Sequence, residues 1–78
     1  MKKYLETLIE EKGADIEDEI NLDGHFGLTF EMLIDFIDSM PEYHDKIRTM
    51  LVKIDFHNGD VFHYLRHLAT GMVKTLGY

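Results

Sequence analysis

The chain has 78 residues, no cysteine and a formal net charge of −7. A chain this short makes one domain, residues 1–78, whose apolar core supplies only roughly 3–5 kcal/mol. Without cysteine there is neither a disulfide nor a thiolate zinc site, a composition that fits a reducing compartment.

In chain order, Met1 to Lys12 reads as a first helix with Tyr4, Leu5, Leu8 and Ile9 as its apolar stripe, and Gly13 as its stop. Lys2 and Lys3 precede no long apolar run, so neither a signal peptide nor a membrane span is expected. Ile16, Ile20 and Leu22 then share one parity while acids fill most of the other, a pattern that suits an exposed strand, although Ile16 and Ile20 also fit one helical turn. Asp23-Gly24 is a turn signal, and His25 to Leu28 allows a return strand. Thr29 is placed to cap a helix over Phe30 to Asp38, which buries Phe30, Leu33, Ile34 and Ile37. Ser39 and Glu42 have capping-box spacing, with Pro41 in the first turn of a third helix that runs to about Phe56. That helix buries Tyr43, Ile47, Met50, Leu51 and Ile54, and Asn58-Gly59 closes it. Asp60 caps a fourth helix to about Leu76. The pattern predicts a mainly α fold, a compact bundle of about four helices that also allows a short β-hairpin near residues 16–28. The short His57 to Asp60 connection makes the third and fourth helices antiparallel neighbours.

Three of the five histidines fall between residues 55 and 67. His63 and His67 are four apart, so a helix puts both imidazoles on one face, where they can converge on a metal ion. His57 lies just before that helix, with Asp55, Asp60 or His25 as the fourth donor of a structural zinc site. Asp60 also sits where a helix start needs a cap, and the histidine pair also reads as ordinary surface residues. A zinc peptidase motif needs a Glu directly after the first His, and Tyr64 stands there. No nucleophile lies beside a base and no glycine-rich phosphate loop is present, so the chain is not expected to be an enzyme.

Charge is strongly segregated. Residues 6–45 carry thirteen acids against Lys12 alone, a balance of −12, whereas residues 46–78 balance at +3. The acidic half repels nucleic acid phosphates and attracts basic surfaces, so direct nucleic acid binding is not expected. The alternative is that the acids only keep a small domain soluble. The sharpest run is Glu17-Asp18-Glu19, flanked by Asp15 and Asp23; it lacks the pattern of a calcium loop and reads as a docking surface for lysine and arginine. Tyr4, Tyr43, Tyr64 and Tyr78 are candidate aromatic anchors at such a surface.

In size, acidity and lack of cysteine the whole chain resembles the small acidic inhibitors of phages and mobile elements, among them the anti-CRISPR proteins that block Cas9-type effectors. The resemblance implies cytoplasmic action in a bacterial host by stoichiometric binding to a basic nucleic-acid enzyme. A metal-binding or metal-sensing regulatory module stands beside it, as does an antitoxin-like helical scaffold. The oligomeric state is open between monomer and homodimer.

Overall fold

Two of the helices start at side chains able to take the orphan amides of a first turn. In the computed structural model, which describes residues 1–77, helix α2 (Phe30–Asp38) begins at Thr29, whose Oγ1 accepts the Met32 amide at 3.3 Å. Helix α4 (Val61–Leu76) begins at Asp60, whose Oδ1 accepts the Phe62 and His63 amides at 2.9 and 3.3 Å. Asp60→Ala is expected to lower stability by about 1 kcal/mol, the usual worth of such a cap, as a shift of the urea midpoint at constant slope.

The other two helices are α1 (Lys2–Glu11) and α3 (His44–Phe56), and both end in one closing pattern. After α1, Gly13 takes a left-handed φ of 90°, and the Ala14 amide reaches back to the Ile9 carbonyl at 3.1 Å. After α3, Asn58 takes the left-handed place at φ 56°, and the Gly59 amide reaches the Ile54 carbonyl at 2.7 Å. These are paired C-terminal caps that satisfy otherwise unpaired carbonyls. A left-handed conformation costs a side-chain-bearing residue roughly 1–2 kcal/mol, and Asn tolerates it best. Asn58→Val is therefore expected to lower the melting temperature and Asn58→Gly to hold or raise it, by calorimetry.

The start of α3 departs from the capping-box reading. A single 3-10 turn, Pro41–Tyr43, precedes the helix. The Ser39 hydroxyl does not cap it but donates back to the Phe36 carbonyl at 2.6 Å, closing α2. The chain corner is tied instead by His44, whose Nε2 lies 2.8 Å from the Ile37 carbonyl and donates to it.

Direction follows from the long-range contacts. Lys2 pairs with Asp35 at 3.0 Å, so the start of α1 lies beside the second half of α2. Arg48 sits 5.4 Å over the Tyr4 ring while Lys12 pairs with Asp55, so α1 and α3 run parallel. The short connection sets the end of α3 beside the start of α4, and a cavity lined by Tyr43 and Ile47 is also lined by α4 from Tyr64 to Thr75, in keeping with the antiparallel pair expected.

Between α1 and α2, residues 13–29 form an excursion without a regular strand. Isolated antiparallel bridges at Glu19 with Thr29 and at Leu22 with His25 are what the allowed hairpin amounts to. The excursion is nevertheless built in. Ile20 and Leu28 are buried and hydrogen-bonded, Ile20 N to Leu28 O, at 2.6 Å. The first amides of α2 donate into it, Phe30 to the Asp18 carbonyl and Glu31 to the Ile16 carbonyl. Every buried side chain among the described residues is apolar, and Leu5 and Ile9 of α1, Leu33, Ile34 and Ile37 of α2, Ile47 and Leu51 of α3, and Leu65, Ala69 and Met72 of α4 are among those that meet Ile20 and Leu28 in one core. Tyr43, which the pattern of the third helix buries, is exposed, as is Leu76 at the end of α4.

Candidate functional site

Burial of Ile20 and Leu28, with Ile16 and Leu22 packed partly against the core, leaves the acids of the excursion outward. Asp15, Glu17, Asp18, Glu19 and Asp23 are all exposed. Three of them also brace the excursion locally. Asp18 Oδ2 accepts the Asp15 amide, and Asp15 Oδ1 accepts the Glu17 amide, each at 2.9 Å. Glu19 Oε1 accepts the Gly27 amide at 2.6 Å across the turn. Each of these carboxylates uses one oxygen in its bond and belongs to an exposed residue. The ion pairs among the described residues join Lys2 to Asp35, Lys12 to Asp55 and Arg66 to Asp60, so none of the five acids of the excursion is neutralised by a neighbouring cation.

At the outer end of the excursion stands a residue to which the sequence pattern assigned only a place in a return strand. Phe26 is 89% exposed, the most exposed large apolar side chain described. It shares a shallow depression with Glu19, Leu22 and His25. Gly24 and Gly27 on either side adopt left-handed φ values of 77° and 79°, so the turn that lifts Phe26 outward is open to glycine and strained for other residues. The one signal that marks it in the sequence is an aromatic flanked by two glycines in an acidic stretch. Of the tyrosines, Tyr43 is half-exposed, Tyr4 lies under Arg48, and Tyr64 is partly buried; Tyr78 lies outside the described residues.

The histidines divide. His63 and His67 come together on α4, with Nε2 atoms 3.2 Å apart and rings at 89°. His57, at the end of α3, sets its ring edge-on to Phe56, centroids 5.2 Å apart. Asp55 is held by Lys12, Asp60 caps α4, and His25 is half-buried in the bridge to Leu22. Among the described residues no set of three or more His, Asp or Glu is arranged around one point for a metal ion. The structure thus assembles two of the three predicted imidazoles and gives Asp55 and Asp60 other partners. Tyr64, beside His63, has its phenol pushed up by burial and stays protonated through neutral pH.

No helix among the described residues is long and apolar enough to cross a membrane. Comparison with protein-family models, with curated proteins and with solved structures gives no match to this chain.

Proposed function

We propose that the protein is an acidic docking module that inhibits a basic nucleic-acid-binding effector of the Cas9 type by stoichiometric binding. The observation that carries this reading is the pairing of Phe26, 89% exposed, with five exposed and un-neutralised carboxylates on one braced excursion. Interfaces of this kind combine an aromatic anchor with charges that steer encounter. Such effectors hold nucleic acid in positively charged channels, and an acidic surface competes there with phosphate. Because residues 13–29 are pinned by α2 and by the buried Ile20 and Leu28, little conformational entropy is lost on docking.

The test is a titration of the protein into a Cas9–guide complex, read by calorimetry and by loading of a labelled target duplex. Binding at one-to-one stoichiometry with loss of DNA loading is expected. A complex that neither binds the protein nor changes its DNA loading ends the proposal. Reversing Glu17 and Asp23 together to lysine is expected to slow association by on the order of tenfold at low salt, read by stopped flow, with the dissociation rate nearly unchanged.

A further inference from the structure

Helix α4 carries two histidines that the docking reading does not use. Asp60 sets the helix start, so His63 and His67, both exposed, fall one turn apart on the face turned toward residues 21–23. Their Nε2 atoms stand 3.2 Å apart. At this distance a ring N–H of one donates to the ring nitrogen of the other. The same separation is what two nitrogens adopt when each bonds one ion at about 2.0–2.1 Å, the zinc–histidine distance, at an angle near 100°. The pair is therefore already spaced for joint coordination through the ring nitrogens farthest from the backbone.

The surroundings fit a cation. The pair lines a cavity of about 260 Å³ together with Asn21, Asp23, Arg66 and Thr70. Arg66 is the one cation on that wall, and its Nη2 is drawn 3.7 Å from Asp60 Oδ2. Asp23 supplies a carboxylate that no ion pair or hydrogen bond among the described residues engages. We propose that His63 and His67 form a two-imidazole site for a divalent transition-metal ion of the zinc class, with Asp23 turning across the cavity as the anionic third donor and water completing the shell. His57 takes no part. The ion would fasten the excursion to α4 beside the turn that carries Phe26, and it would draw Asp23 out of the set of five docking carboxylates.

The experiment uses the full chain, stripped of metal by chelator, with zinc chloride alone as the probe. Calorimetry reads stoichiometry and affinity, and imidazole nitrogen resonances read which histidines respond. One equivalent is expected to bind, moving the Nε2 signals of His63 and His67. Loss of an outer-shell partner already costs roughly 10–100-fold in metal affinity, so His63→Ala or His67→Ala is expected to weaken binding at least about tenfold. Asp23→Asn is expected to weaken it by a smaller factor, and His57→Ala to leave it unchanged. Because both histidines are exposed, these variants retain the fold, which far-ultraviolet circular dichroism checks; His63→Gln and His67→Gln serve as second variants. Absence of saturable binding, or binding that survives loss of both imidazoles, overturns the proposal. A His57→Ala loss equal to that of His67→Ala also overturns it, by assigning the ion to a three-histidine corner.

Discussion

Leu51→Ala is expected to leave most of the chain unfolded under conditions where the parent is native. Leu51 is fully buried, and it and Ile47 are the only buried side chains that α3 contributes. Truncating a buried leucine costs about 2–5 kcal/mol, the upper part arising where neighbours do not collapse into the cavity. A single core of this size supplies only roughly 3–5 kcal/mol, and no disulfide adds to it. The loss is therefore of the same order as the whole. The parallel arrangement of α1 and α3 sharpens the effect, because α3 is otherwise tied to α1 by the exposed pair of Lys12 with Asp55 and by Arg48 over Tyr4, contacts that contribute little in water. Circular dichroism at 222 nm (the helical band) during urea titration measures it. Val52→Ala, one residue on and 54% exposed, is the matched control; it is expected to change stability by less than about 0.5 kcal/mol. A Leu51→Ala midpoint equal to the parent's would mean that α3 does not pack as described.

The residues explain which features were legible before the fold was seen. Helices α2 and α4 have the bounds their caps and apolar periodicity predict, because Thr29 and Asp60 act within three residues of themselves. Ser39 and Glu42 have the same spacing as a true capping box, yet a serine hydroxyl serves equally well at a helix end, and here it closes α2. Ile16, Ile20 and Leu22 alternate as a strand does, but a strand needs a partner along its length. The backbone donors nearby are the first amides of α2, which take the Ile16 and Asp18 carbonyls and leave two isolated bridges. The candidate metal site was legible only where it is local. The spacing of His63 and His67 is set by one turn of helix, whereas the fate of Asp55 depends on Lys12, 43 residues away in sequence. His57 falls at the point where α3 unwinds, so its direction follows the terminal turn and not the helical periodicity.

Phe26→Ala is expected to weaken binding to the effector by about 2 kcal/mol or more, roughly a thirtyfold rise in Kd, while leaving the melting temperature unchanged. The separation of the two readouts follows from position. At 89% exposure the ring contributes almost nothing to the core, so its removal costs the isolated protein little. On docking, the same ring moves from water into an apolar pocket, and its truncation forfeits that transfer. Reversal of Glu17 and Asp23 acts earlier, on the encounter, and fades as salt screens exposed charge beyond about 8–10 Å. The two classes of variant should therefore divide cleanly, Phe26→Ala in dissociation rate and the charge reversals in association rate. A competing apolar surface lies between α1 and α3, where Phe56 is 81% exposed and lines a groove with Tyr4 and Val52. If Phe56→Ala raises Kd and Phe26→Ala does not, the partner sits on the α1–α3 groove. The acids of residues 15–23 then serve solubility alone, because the aromatic anchor and the charges no longer belong to one surface.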